Sequence, residues 1–326
     1  MTDSIPIGAT AIKPVERHGW EAISWFLYDR NTGAIMGRTP MSWLLITVFY
    51  IIYYSLLAGF WLLCLTIFFQ TCIDNEQPRW QQDASLIGKS PALGVRPGQD
   101  WDSIESSMII FNYEADNDEI AVPGRAGWIE RADKFLATYR KPEGQGVDCG
   151  AGAANLDNGE YCKFDLAQIG PCAEGNHGFD SNSPCLILKL NKIYGLVPDY
   201  YNASIDGMPA DLKARIDGAA DKNKIWVSCK GENPADTEGV GSFEYFPADA
   251  GFSSDYFPYV NQEGYQSPLV AVRLNEVSVG QLLHIECRAW AGNINYDRRD
   301  RVGIVHFELL IHDNDSANVV NQVASA

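Results

Sequence analysis

The chain has 326 residues, 46% of them hydrophobic, enough for one sizeable packed domain with extra segments. Acidic residues number 42 against 25 basic ones, a formal charge of −17; this is a poor match to nucleic acid or to an anionic lipid surface. Residues 1–70 balance four acids (Asp3, Glu16, Glu21, Asp29) with four bases (Lys13, Arg17, Arg30, Arg38), so the whole acidic excess lies beyond residue 70.

A polar tail occupies residues 1–40. From Thr39 to Ile73 there is no charged residue, and Trp43–Phe69 is nearly all apolar or aromatic. Twenty-seven residues of helix rise about 40 Å, enough to cross a hydrocarbon core of roughly 30 Å with some tilt. A soluble core helix of this length would carry a polar face, and this one has none. The aromatic residues at its ends, Trp43, Phe68 and Phe69, suit the two membrane interfaces. A cleaved signal peptide would be shorter and closer to the N-terminus. Residues 41–70 therefore read as an uncleaved signal anchor. Arg38 lies close before the span, Asp74 and Glu76 just after it and Arg79 a little further on, a balance that favours a cytoplasmic N-terminus.

The eight cysteines support that orientation. Six of them (Cys149, Cys162, Cys172, Cys185, Cys229, Cys287) follow the span, without CxxC spacing or a histidine at zinc-finger spacing. Disulfides in an oxidising compartment explain them economically; spacing alone leaves fifteen pairings open. Asn202-Ala203-Ser204 and Asn314-Asp315-Ser316 are glycosylation sequons. Asn182-Ser183-Pro184 is not one, because proline holds its third place. Cys64 lies in the span and Cys72 near its outer end.

Beyond the span, residues 71–100 read as a polar stalk and residues 101–326 as a disulfide-bonded extracellular domain. Glu130–Lys141, with Ile129, Ala132, Phe135, Leu136 and Tyr139, has the spacing of an amphipathic helix. Strand patterns follow at Pro184–Ile193, Leu269–Leu274, Leu282–Trp290 and Val302–His312. In the last, Val305, Phe307, Leu309 and Ile311 share one face. The fold class expected is α+β: a single transmembrane helix, then an immunoglobulin-like antiparallel β-sandwich with one attached helix.

Gly37-Arg38-Thr39, Phe49–Phe60, Ser90-Pro91-Ala92-Leu93 and the blocks around Cys162, Cys172, Cys185 and Cys287 follow one another in an order that, over about Phe26 to Asp313, resembles the β subunits of Na,K-ATPase and the related H,K-ATPase. Gly37-Arg38-Thr39 followed by Ser42-Trp43 resembles the family's entry to the span, and Phe49–Phe60 its tyrosine-glycine pattern. Ser90-Pro91-Ala92-Leu93 is similar to its stalk motif, with alanine at Ala92 where glycine is usual. The cysteine blocks are more specific: Cys162-Lys163-Phe164 to Gly170-Pro171-Cys172, Pro184-Cys185 to Lys189-Leu190-Asn191-Lys192, and Glu286-Cys287-Arg288-Ala289-Trp290. Tyr256-Phe257-Pro258-Tyr259 and Pro268-Leu269-Val270-Ala271-Val272 fit as well. The resemblance implies sequential bridges, Cys149–Cys162, Cys172–Cys185 and Cys229–Cys287, although the first interval is shorter than the family pattern. It also implies a plasma-membrane type II chain without cofactor. Its partner would be the catalytic α subunit of a P-type cation ATPase, with a small single-span regulatory subunit as a further associate.

The pumps' catalytic Asp-Lys-Thr-Gly is absent here, as are a Walker loop and HExxH, so the chain is expected to be an accessory subunit. On the span, Tyr50 and Tyr54 share one face with Ala58 and Trp61. Ser55 and Gly59 form a small-xxx-small spacing on another face. The resemblance implies that both faces serve the α subunit, and Tyr256 and Tyr259 are candidate contacts outside the membrane. Core packing explains that aromatic strip equally well. Two other classes share the topology. A signal-anchored glycosyltransferase would use an Asp-x-Asp, matched by Asp116-Asn117-Asp118 and Asp313-Asn314-Asp315, but no βαβ pattern accompanies them. A cell-adhesion ectodomain explains the sandwich and bridges but not the patterned span.

Overall fold

The computed structural model describes residues 19–29, 33–74, 77–86, 88–98, 107–116, 122–141, 144, 146–149, 159–315 and 320. Residues 1–18 of the expected tail, Asn117 and Asp118 of the first acidic triplet, and Ser316 of the second sequon lie outside them. The chain divides into two compact units, residues 1–74 and 75–326.

In the first unit a short helix α1 (Trp20–Leu27) leads into a two-stranded hairpin, β1 (Tyr28–Asp29) and β2 (Ala34–Ile35), with Tyr28 opposite Ile35. The long helix α2 (Pro40–Cys72, 33 residues) follows. Its start is specified locally. Thr39 is extended and its hydroxyl accepts the Ser42 N–H at 3.4 Å, while Pro40 takes the first helical place, where a missing N–H costs nothing. The Trp43 indole donates to the Ile35 carbonyl at 2.9 Å and ties the helix to the hairpin. Among the described residues α2 is the one helix long and apolar enough to cross a membrane, with a mean hydropathy of 2.1 over its best window. No residue of α2 is buried. The hydroxyls of Thr66 and Thr71 donate back to the carbonyls of Leu62 and Ile67 at 2.8 and 2.7 Å, so neither needs a partner from lipid.

The second unit runs β3 (Leu93–Arg96), β4 (Met108–Asn112), α3 (Ala126–Arg140), β5 (Gly146–Val147), β6 (Tyr161–Cys162), β7 (Cys185–Leu190), α4 (Ala210–Gly218) and β8 (Lys224–Gly231). It continues through α5 (Pro234–Gly239), β9 (Ser242–Phe246), β10 (Gly251–Ser253), β11 (Leu269–Asn275), β12 (Leu283–Trp290) and β13 (Ile304–His312). A five-stranded sheet, β10-β8-β12-β13-β4, faces a four-stranded sheet, β3-β7-β11-β9. Leu186, Leu188 and Leu190 of β7 and Val270, Val272 and Leu274 of β11 close one core with Ile225 and Val227 of β8, Ile285 of β12, and Phe307, Leu309 and Ile311 of β13. The period-two pattern in these strands places alternate side chains on the core face, and the four expected strands form within three residues of the expected ends.

Three features differ from the sequence expectation. Within the two large sheets the pairing is antiparallel except at β13–β4, which is parallel, with Leu309 opposite Ile109 and Ile311 opposite Phe111, and the small β5–β6 pair is parallel as well. The expected stalk supplies β3, paired with β7 from Leu93↔Leu190 to Arg96↔Ile187, so those residues belong to the sheet. There are three described helices in this unit rather than one, because α4 and α5 are 9 and 6 residues long and too short to show a period. The expected helix is α3. Trp128, Ala132, Leu136 and Tyr139 are its buried face, and it starts four residues before the expected Glu130. The Trp128 indole donates to the Ile110 carbonyl of β4 at 2.8 Å, and its ring stacks on Phe179 at 6.3 Å. Buried Gln266 accepts the Phe164 N–H at 2.9 Å and donates to the Thr138 and Tyr139 carbonyls, which closes the C-terminal end of α3.

Three disulfides form, Cys149–Cys162, Cys172–Cys185 and Cys229–Cys287, with sequence separations of 13, 13 and 58. The third joins directly opposed residues of β8 and β12. In the chain-entropy account each short loop stabilises by about 3 kcal/mol and the long one by about 4 kcal/mol. Replacing Cys229 and Cys287 together by serine should therefore lower the unfolding free energy by about 4 kcal/mol, more than serine at either short-loop pair. Chemical denaturation of the full chain in detergent, followed by tryptophan fluorescence, checks the order of the three.

Candidate functional site

The membrane helix offers two built faces. The rings of Tyr50 and Tyr54 stack with centroids 5.8 Å apart and planes at 23°, as residues one turn apart can. Phe49 and Tyr53 form a second stack beside them at 6.1 Å and 14°. Tyr50 and Tyr54 are 47% and 59% exposed, and among the described residues neither hydroxyl has a hydrogen-bond partner. A phenol at membrane depth gains from finding one, because lipid tails supply none. On the other face a β-carbon built at Gly59 meets nothing within 4 Å, so with Ser55 one turn before it the backbone lies open to close approach.

The aromatic strip of the second unit divides into two parts. Tyr256 is 8% exposed, its ring packs at 6.0 Å from Phe164, and its hydroxyl donates to the Lys163 carbonyl at 3.3 Å. Burial pushes its phenol up to about 12. Tyr256 is thus packed into the core, as the packing alternative expects. Tyr259 stays half-buried. Its ring lies 4.9 Å from Tyr265 and 6.3 Å from Tyr194, and the Lys192 ammonium sits 5.0 Å from the centroids of Tyr259 and Tyr265. Loss of water lowers the Lys192 pKa. Tyr194, Lys192 and Tyr265 were not picked out from sequence. Lys192 and Tyr194 are more than sixty residues from Tyr259, and only β-sheet pairing, including the Tyr194↔Tyr259 bridge, brings them together.

The two sequon asparagines are both exposed. The Asn202 carbonyl accepts from Lys222 at 2.9 Å, and the Ser204 hydroxyl of the same sequon donates to Asp217 at 3.1 Å. Asn314 accepts from the Asn112 amide at 3.0 Å through its side-chain oxygen. Its own amide nitrogen, the atom a glycan takes, has no hydrogen bond among the described residues. Asp116 of the first acidic triplet is engaged by Arg125 at 2.7 Å.

A sequence model described as "Sodium / potassium ATPase beta chain" matches residues 13–307. The chain is 41% identical over 321 residues to "Sodium/potassium-transporting ATPase subunit beta-2" of Drosophila melanogaster, covering 92% of this chain and 94% of that one. It is 38% identical over 299 residues to the beta-1 subunit of the same fly, covering 89% and 93%. It is also 26% identical over 315 residues to the Homo sapiens beta-2 subunit, covering 88% and 93%. A long exposed apolar helix, three sequential bridges and this match over most of the length lead to one conclusion: the chain belongs to the sodium/potassium ATPase beta-chain family, as a non-catalytic subunit of the Na/K pump.

Proposed function

We propose that the chain grips the catalytic α subunit of a Na+/K+-transporting P-type ATPase, supports its folding and delivery to the plasma membrane, and tunes its cation affinity. The observation that carries this reading is α2: 33 residues, none buried within its own chain, with two stacked tyrosines whose hydroxyls await acceptors. The tyrosine face would pack on one α-subunit helix and the Ser55–Gly59 face would let another backbone approach. The remaining circumference leaves room for a small single-span regulatory subunit. The N-terminus lies in the cytoplasm and the head outside, where disulfides persist and the sequons can be modified. The head, in this reading an immunoglobulin-like sandwich, caps the outer loops of the α subunit with Tyr259 among its contacts. A cap that touches one pump state more than another shifts the equilibrium between states and so shifts cation affinity.

Replacing Tyr50 and Tyr54 together by alanine should weaken assembly by on the order of 1–2 kcal/mol, roughly tenfold in affinity. Co-purification of α subunit with tagged chain in mild detergent measures it, and recovery equal to the parent would count against the tyrosine face. A leucine at Gly59 should reduce recovery in the same assay, since its side chain fills the open approach.

Asn202→Gln and Asn314→Gln should each remove one glycosidase-sensitive step in electrophoretic mobility. A chain from its native membrane that glycosidase does not shift would contradict the external head.

A further inference from the structure

The outer face of the five-stranded sheet carries a cluster to which the proposed function assigns no role. His284 on β12 stands opposite Glu308 on β13, and His306 lies two residues before Glu308 on the same strand. All three therefore project from the face opposite Ile285, Phe307 and Leu309, which fill the core. One nitrogen from each imidazole and one Glu308 carboxylate oxygen lie within 4.8 Å of one another. The Glu308 oxygen is 4.0 Å from His284 Nδ1 and 3.8 Å from His306 Nε2.

Those separations are too long for direct hydrogen bonds, which need about 2.7–3.2 Å. They are close to what a shared cation requires. Metal bonds of roughly 2.0–2.2 Å in a tetrahedron set ligand atoms about 3.3–3.5 Å apart. Closing the gaps asks about 0.5 Å at the two Glu308 contacts and no more than about 1.4 Å between the imidazole nitrogens, which rotation of half-buried side chains can supply.

A second observation points the same way. The other nitrogen of His306, Nδ1, lies 2.6 Å from the Glu232 carboxylate. An ionised carboxylate only accepts, so Nδ1 carries the proton and a neutral His306 turns its lone pair, at Nε2, toward Glu308. This is the carboxylate–histidine arrangement that orients metal-binding imidazoles. Arg298 pairs with Glu232 and lies 3.7 Å from Glu286, and Lys230 lies 3.6 Å from Glu286. The basic side chains are thus engaged by Glu232 and Glu286. Among the described residues, the ion-pair partners of Glu308 are the two imidazoles. The His284 and His306 rings stack at 5.9 Å with planes at 18°.

We propose that His284, His306 and Glu308 form a divalent-metal site for Zn2+, with Glu232 as the residue that positions His306 and water in the fourth place. Two imidazoles and a carboxylate are a donor set zinc takes readily. The metal would cross-link β12 and β13 on the exposed side of the head. It calls for no catalysis, and it goes beyond the subunit role proposed above.

The test uses the full chain purified with its α subunit in detergent, equilibrated with micromolar Zn2+ and freed of excess, with metal counted per chain. The parent should retain one zinc more than His284→Asn or Glu308→Gln. Glu232→Gln should keep the site but weaken it by roughly 10–100-fold. Recovery of each variant with the α subunit shows that it has folded. Co2+ in place of zinc should give the strong visible absorption of a tetrahedral site in the parent, absent from His284→Asn. Equal zinc content in the parent and in both ligand variants, or a cobalt spectrum that neither substitution changes, overturns the proposal.

Discussion

The apolar surface of α2 is the constraint from which the rest follows. Thirty-three residues form a helix with no buried side chain, so the chain leaves to its surroundings the whole of a cylinder about 50 Å long. Water would penalise that surface, and lipid accepts it while demanding that every polar group be satisfied from within. The backbone meets the demand by being helical, and Thr66 and Thr71 meet it by bonding to the preceding turn. Tyr50 and Tyr54 have no such bond among the described residues, and the proposed contact with an α subunit is assigned to their face for that reason.

The head solves a different problem. Two sheets share one core, and the bridges are packed into the buried clusters of the head. Cys229–Cys287 pins two adjacent strands of the five-stranded sheet, and Cys172–Cys185 fastens an irregular helical turn to the start of β7. Trp128 and Gln266 then fix α3 across the gap between the layers through three carbonyls. Cys229–Cys287 and the Gln266 contacts join segments 58 and more than 100 residues apart, so much of the closure of the head is long-range rather than local.

Legibility in the sequence tracks the physics of each element. The span was plain because 35 consecutive residues from Thr39 to Ile73 lack charge, and lipid imposes a length that no soluble element needs. Strands β7, β11, β12 and β13 were plain because one side faces a core and a period of two shows through. The strand at Leu93–Arg96 was hidden, since only four residues pair and their partner, β7, begins about ninety residues later. The parallel β13–β4 pair was hidden for a related reason: no local signal tells a strand which neighbour it will join. The bridges followed from resemblance rather than from spacing. Of the site residues, the tyrosine stack on α2 was legible because helix spacing alone creates it. The burial of Tyr256 was not, because it depends on Phe164 and Lys163 arriving from more than ninety residues away.

The central claim is that a lone lipid-crossing helix with a cross-linked head exists to hold a pump's catalytic chain. The most direct measurement is to extract the tagged chain from its native membrane in mild detergent, add radiolabelled ATP, and look for an acid-stable phosphoprotein in the eluate. The account predicts a multi-span protein in equal amount, phosphorylated on aspartate in a cation-dependent way. A chain that elutes alone, with no phosphorylatable companion under conditions that preserve membrane complexes, would contradict it.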